Sequence, residues 1–315
     1  MSIKNIIIKT LEMVPFGLRS QIKNIPVVKQ LQALVLKKYF SDKEFVATIT
    51  GGPAKGLRFP VQMPQDKLMW IGTWELEFAK KLQQMIKPGW VCYDIGGYKG
   101  YYAGIMALHG AGDVIIFEPM PVNIQKIKNL ISLNPTLPLT LIEKAVSNHT
   151  GKKVFNMMPE DTMGKLEESS FQREAPALRQ LEVETDKLDN IVLNYPEPDL
   201  IKIDVEGAEE LVLKGGLELL KRKKPVLMIE VHSHGIGKRC YELLKNTYQK
   251  IYVFETGQAP GNDEAEICHY IAMLEKNIDH ISALPAIQPG RSAQTKAVRT
   301  TSAFVWVGAC YTYGR

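Results

Sequence analysis

Eleven residues, Trp90 to Gly100 (WVCYDIGGYKG), constrain this chain most. The apolar run Val91-Cys92-Tyr93 ends at Asp94, and Ile95 leads into Gly96, Gly97 and then Gly100. Residues Tyr101 to His109 read as a helix. Strand, glycine turn and helix in that order form a nucleotide-binding crevice at the carboxyl edge of a parallel sheet. Glycine serves where the chain bends sharply and where a ligand lies against bare backbone. The new helix adds unpaired N–H groups beside that ligand. The pattern is D-x-G-x-x-x-G, so the G-x-G-x-x-G pyrophosphate fingerprint is not met.

A second half of the crevice follows. Asp113 to Glu118 (DVIIFE) is a short apolar run closed by an acid, and Glu118 stands 24 residues after Asp94. A carboxylate at the end of a second strand can accept two hydrogen bonds from a ribose diol. From the other side comes a helix with apolar residues at Leu76, Ala79, Leu82 and Ile86, opened by Gly72 to Glu75 (GTWE) and stopped by Pro88-Gly89. Its Glu75 is placed to reach the ligand, whereas Trp74 reads as packing.

Composition bounds the rest. A chain of 315 residues with 45% hydrophobic and 23% charged residues is ordinary for a soluble globular protein and fits one large domain with extensions or two small domains. No run approaches the ~18 apolar residues of a membrane span. The opening, MSIKNIIIKTLEMVPFG, lacks the apolar core and cleavage site of a secretion signal. Cys92, Cys240, Cys268 and Cys310 show no C-x-x-C spacing, so no disulfide framework or cysteine zinc site is expected, and a reducing cytoplasm is the simplest location. The net charge of +5 sits at the ends: residues 1–45 hold eight Lys/Arg against three Asp/Glu, and residues 286–315 hold four against none. The acidic middle argues against a nucleic-acid partner. Residues 3–14 and 21–40 read as helices with interleaved lysines. Such a basic surface suits peripheral contact of residues 1–40 with the inner face of a membrane, an oligomer interface, or packing on the domain.

Residues 45–60 alternate and turn at Gly51-Gly52-Pro53, which predicts a hairpin. Residues 120–133 read as a helix, 139–147 (LTLIEKAVS) as a third strand, and 152–158 and 181–185 as short strands around a loop containing Asp161 to Ser170. In Leu200 to Val205 a strand carries Lys202 and Asp204, with Glu206 just beyond, at alternate positions on one face. A buried parallel strand is normally apolar throughout, so these charges belong to the crevice. A helix over 208–221 and the strand PVLMIEVHS, ending in Glu230, His232 and His234, follow. Two final strands, 250–256 and 267–274, close one edge. The expected architecture is α/β: a doubly wound, mostly parallel sheet with an antiparallel edge hairpin. The boundaries are 1–44 for a basic helical extension, 45–284 for the main domain and 285–315 for a tail.

DIGGYKGYY, FEP, KAVSNHTGK, LIKIDVEGAE, VLKGG and KPVLMIEVH fall in the order and spacing of FkbM-type S-adenosylmethionine-dependent methyltransferases, which the chain resembles over residues 45–275. LIKIDVEGAE is the most specific block. The resemblance implies a seven-stranded Rossmann-like class I methyltransferase fold and S-adenosyl-L-methionine as cofactor. It implies that Asp94, Gly96, Gly97 and Gly100 pass the methionine part, that Glu118 holds the ribose, that Ala145 lies near adenine, and that Asp204 is nearest the transferring methyl. The family pattern DIGAN-x-G departs here at Gly97-Tyr98. Gly97 is a mild change, and Tyr98 removes a polar contact of asparagine.

The expected activity is O-methylation of a hydroxyl on a sugar or small metabolite. An alcohol needs a base as its new bond forms, with Asp204 the first candidate, His232 the second, and Glu206 orienting substrate or Lys202. No metal is expected, because the carboxylates show no third ligand and His232 with His234 no further cluster. Alternatives are a nicotinamide oxidoreductase, disfavoured by the missing fingerprint, and a catalytically degenerate module associated with a membrane or protein partner.

Overall fold

The computed structural model describes residues 44–157, 164–166, 179–261 and 267–275, together with Thr10 and Asn277. Apart from Thr10, the expected helices at 3–14 and 21–40 and the tail from 285 lie outside the described residues. The described chain opens with the antiparallel hairpin β1 (Phe45–Thr48) and β2 (Arg58–Val61), then α1 (Lys67–Ile71) and α2 (Leu76–Met85). Helix α2 buries Phe78, Ala79, Leu82 and Met85, one stripe at helical spacing. Next come β3 (Val91–Ile95), α3 (Tyr101–Leu108), β4 (Asp113–Phe117), α4 (Pro121–Leu133) and β5 (Leu139–Ile142). An excursion follows, with β6 (Ala145–Val146), β7 (Gly151–Met157), β8 (Gly164–Leu166), β9 (Arg179–Asp186) and α5 (Leu188–Ile191). The chain returns as β10 (Leu200–Ile203), α6 (Glu209–Lys214), α7 (Leu217–Arg222), β11 (Val226–Val231), α8 (His234–Leu244), β12 (Lys250–Val253) and β13 (Cys268–Met273). No helix among the described residues is long and apolar enough to cross a membrane.

The main sheet has seven strands in the order β12-β13-β11-β10-β3-β4-β5. From β3 the chain winds outward through β4 to β5, then returns to the other side of β3 as β10 and winds outward again. The reversal leaves a crevice at the carboxyl ends of β3 and β10, the position where open α/β sheets take their ligands. Strands β3, β4, β5, β10 and β11 are parallel, and only β13, wedged between β11 and β12, runs against its neighbours. Two cores cover the sheet. Cys92, Leu200, Val226, Met228 and Ile271 belong to the face packed with α2 and α3, while Tyr93, Ile201, Ile203, Leu227 and Ile229 belong to the other. Asp94, Lys202, Glu230 and His269 share the alternation of the first face. Asp94 pairs in register with Lys202, and Glu230 with His269.

The seven-stranded, mostly parallel sheet with its antiparallel edge agrees with the expected fold, and three local readings change. The stretch 139–147 is two strands: Leu139–Ile142 joins the main sheet, and Ala145–Val146 turns away to pair with β9 in a second sheet of order β6-β9-β7-β8. Residues 164–166, expected in a loop, form β8 against β7. The helix expected over 208–221 is broken at Gly215-Gly216, because the chain passes so close to Ser147 that a Cβ on Gly215 would lie 2.0 Å from its carbonyl oxygen.

Candidate active site

The glycine turn is fastened to both neighbouring strands. Gly96 and Gly97 N–H donate to Phe117 O at the end of β4 (3.0 and 3.1 Å), and Asp204 N–H donates to Ile95 O (3.0 Å). Gly96 has φ +80°, and a Cβ there would lie 1.8 Å from Asp204 O, so no side chain fits between β3 and β10. At Gly97 the constraint is packing: a Cβ would stand 2.2 Å from Ile116 Cγ2. The motif alanine would therefore clash in this chain, and Gly97 is not the mild change the pattern suggested. Gly100, in the left-handed region, caps α3.

Asp94 is fully buried behind this turn. Its Oδ2 accepts from Ala103 N–H in the first turn of α3 (3.2 Å), and Lys202 Nζ lies 3.4 Å from Oδ1. A carboxylate is favoured at that helix end. Burial pushes its pKa up, and Lys202 opposes that shift. The role this placement supports is to hold the turn and the helix together.

Glu118 is also buried, and its oxygens meet main-chain donors: Oε2 accepts from Tyr98 N–H and Oε1 from Met120 N–H, both at 2.9 Å. Desolvation raises it to about 7 in spite of these bonds. Tyr98, at φ +51°, keeps the main-chain bond to Glu118, so the departure from the motif affects only the side chain. Ala145 and Met120, the latter two residues after Glu118, are buried in one small apolar cluster with Phe155, Val183 and Ala208.

Across the crevice the ionisable groups gather. Lys202 Nζ is buried and stands 3.2 Å from Asp204 Oδ2 and 3.3 Å from Gly96 O, over the ring of Tyr102 at 5.2 Å. Burial lowers its pKa, but Asp204 and Asp94 outweigh that and keep it charged. Asp204 is partly open to solvent; burial raises it, while Lys202 and His232 bring the net shift below the usual range. His232 is buried at the end of β11. Its Nδ1 is 2.8 Å from the buried Glu209, which also accepts Gly207 N–H, and its Nε2 is 3.4 Å from Glu206 and 3.8 Å from Asp204. Burial opposes the charge, yet Glu209 and its neighbours raise His232 to about 10. That shift favours the imidazolium at neutral pH and weighs against His232 as the base. Glu206, in a strained left-handed conformation (φ +51°), is pushed up by burial.

Four further residues, Glu230, His269, Glu255 and Glu75, complete the cluster. Glu230 lies 3.9 Å from His232 Nε2 through Oε1 and 3.7 Å from His269 Nε2 through Oε2. Glu255 Oε1 stands 2.6 Å from His269 Nδ1. Glu75, at φ +40° capping α2, accepts from the Tyr102 hydroxyl. Glu75, Glu230 and His269 have ligand atoms within 4.8 Å of one another, as do Asp204, Glu230 and His232. Each place thus gathers three groups of ligand type, one more than the carboxylate pair the sequence offered. His234 opens α8 as an exposed residue and belongs to neither set. The sequence signalled Glu230 by its place at a strand end; nothing local signalled Glu209, Glu255 or His269.

The methyltransferase FkbM domain model matches residues 94–264, more than half of the chain, and covers the glycine turn, Glu118, Asp204, Glu206 and His232. The chain belongs to the FkbM methyltransferase family. Among solved structures it is similar to methyltransferase FkbM from Methylobacillus flagellatus KT, at 20% identity and TM-score 0.39, covering 58% of this chain and 43% of that one. It is also similar to precorrin-6y C5,15-methyltransferase from Geobacter metallireducens GS-15, at 14% identity and TM-score 0.40, covering 64% and 89%. A third is Pyrococcus abyssi tRNA (uracil-54, C5)-methyltransferase in complex with S-adenosyl-L-homocysteine, at 11% identity and TM-score 0.40, covering 74% and 44%. No match is found among curated proteins.

Proposed function

We propose that this chain is an S-adenosylmethionine-dependent O-methyltransferase acting on a hydroxyl of a sugar or other small metabolite. The observation that carries the reading is the placement of Asp204, Glu206 and Glu230 on strand ends beside the glycine turn, with Lys202 and His232 neutralising only part of their charge. Glu118 suits the cofactor: its oxygens accept the main-chain N–H groups of Tyr98 and Met120 and a bond from the Asn123 side chain, and of the four lone-pair positions of a carboxylate one is left for a ribose hydroxyl. Gly96, Gly97 and Gly100 would border the methionine part, Glu75 would meet it from α2, and the apolar Met120 and Ala145 would face the base. When bound, the cofactor supplies a methyl group already activated by its sulfonium.

The protein then has two tasks, alignment of the acceptor oxygen and removal of its proton. Asp204, held by Lys202, orients the hydroxyl, and its lowered pKa makes it a weak base. Glu206, raised by burial, is better matched to take the proton, and His232 provides a neighbouring positive charge. The FkbM family membership sets the nicotinamide alternative aside, and the intact Tyr98–Glu118 bond counts against the degenerate module.

Calorimetric titration with S-adenosylmethionine and S-adenosylhomocysteine, with Glu118→Ala as control, tests the cofactor. Binding that disappears in the control supports it; no binding by the folded protein rejects it. In a screen of hydroxylated acceptors, Asp204→Asn is expected to bind cofactor normally and lose turnover. Parallel loss of both would remove Asp204 from the acceptor side.

A further inference from the structure

We infer that Glu75, Glu230 and His269 form a binding site for a divalent transition-metal ion of the zinc, cobalt and manganese class. His269 carries the argument. Its Nδ1 is hydrogen-bonded to Glu255 at 2.6 Å, which leaves Nε2 facing Glu230. That Nε2 atom is shut off from solvent and has no hydrogen-bond partner. Glu230 Oε2 stands 3.7 Å from it, and the Glu75 carboxylate completes a set with ligand atoms within 4.8 Å of one another. A carboxylate that holds the far nitrogen of a histidine is the support metal-ligating imidazoles ordinarily have. Tetrahedral coordination with bonds of ~2.1 Å places ligand atoms about 3.4 Å apart, close to the Glu230–His269 separation. Glu75 is exposed on its helix cap and can close the remaining distance.

The nitrogen donor selects among cations. Mg²⁺ prefers an octahedron of oxygens, whereas imidazole with two carboxylates suits zinc, cobalt, manganese or iron. Three protein ligands leave a position for water or for an oxygen of a bound molecule, the arrangement of catalytic rather than structural sites. The neighbouring set of Asp204, Glu230 and His232 is less suited. Lys202 ammonium already lies 3.2 Å from Asp204, and His232 Nε2 is 3.4 Å from Glu206. The site stands independently of the transferase reading, because binding is measured on the protein alone.

The test is a Co²⁺ titration of the chelator-stripped full chain, read by the visible d–d absorption of the bound ion, with Zn²⁺ and Mg²⁺ as competitors. One saturable equivalent is expected, displaced by Zn²⁺ and not by Mg²⁺. His269→Ala should abolish it, and Glu75→Gln, an exposed change that leaves the core intact, should weaken it at least tenfold. Glu255→Gln should weaken it about 10–100-fold, and His232→Ala should leave it in place. Circular dichroism on each variant verifies the fold. Absence of saturable binding by the wild-type chain, or Glu75→Gln binding as well as wild type, overturns the site. Loss in His232→Ala with retention in His269→Ala overturns it in favour of the Asp204 set.

Discussion

The two sides of the crevice hold their charges by different means. On the glycine-turn side, Asp94 and Glu118 are met largely by main-chain N–H groups, from Ala103, Tyr98 and Met120. On the β10–β11–β13 side, Asp204, Glu206, Glu230 and Glu75 are met by side chains, chiefly Lys202, His232, His269 and Tyr102. Main-chain donors are fixed by the fold and require no particular side chain. Side-chain partners can be exchanged one at a time, so that half can be adapted to different acceptors without disturbing the turn. Lys202 joins the halves, because its ammonium touches Asp94 on one and Asp204 on the other.

Breaking that joint is the largest effect expected. Lys202→Met leaves the fully buried Asp94 without its cation and Asp204 with His232 alone, and removing one partner of a buried pair costs about 3–5 kcal/mol. Denaturant unfolding at neutral pH measures it. Burial without the lysine raises the folded-state pKa of Asp94 further above its unfolded value, so the deficit is largest at neutral pH and shrinks as pH falls and the carboxyl protonates. A loss under about 1 kcal/mol would mean that the two halves are held independently.

Glu118 gives the next effect, on binding rather than stability. It titrates near 7 in the free protein, well above its usual value of about 4.5. A raised acid contributes stability that is present below the unfolded pKa and is lost as pH rises through 7. Ribose hydroxyls donate to the ionised carboxylate, so they favour deprotonation. Affinity for S-adenosylhomocysteine should therefore rise with pH by up to about tenfold per unit below 7 and level off above it. In Glu118→Gln the slope should vanish along with most of the affinity. A flat wild-type profile would place the ribose elsewhere.

The difference between the halves also explains what the sequence made legible. Asp94, the glycines and Glu118 fall within 25 consecutive residues at the ends of two adjacent parallel strands, so spacing alone places them together. Lys202, Asp204 and Glu206 were visible as charges in an otherwise apolar strand. His269 lies on the antiparallel strand β13, and its meeting with Glu230 depends on a register no local pattern states. Glu209 lies in the first turn of α6 and reads as an ordinary acidic N-terminus, although it is fully buried against His232. Gly97 misled for a related reason: its fit depends on the branch of Ile116, a neighbour in space only.

Tyr98 offers the smallest effect and the finest test of the comparison. Left-handed backbone costs an ordinary side chain about 1 kcal/mol and asparagine less, which favours Tyr98→Asn. Against this, the half-buried tyrosine ring packs on the core and lies 5.0 Å from the Lys99 ammonium, contacts worth a similar amount. The two nearly cancel, so unfolding should shift by less than about 1 kcal/mol. Cofactor affinity should change less than about threefold, because the donor to Glu118 is the main-chain N–H, which asparagine retains. Calorimetry on Tyr98→Asn decides this. A rise in affinity beyond about tenfold, or 1.4 kcal/mol, would show that the tyrosine ring obstructs the crevice and that side chains, as well as backbone, set the glycine-turn half.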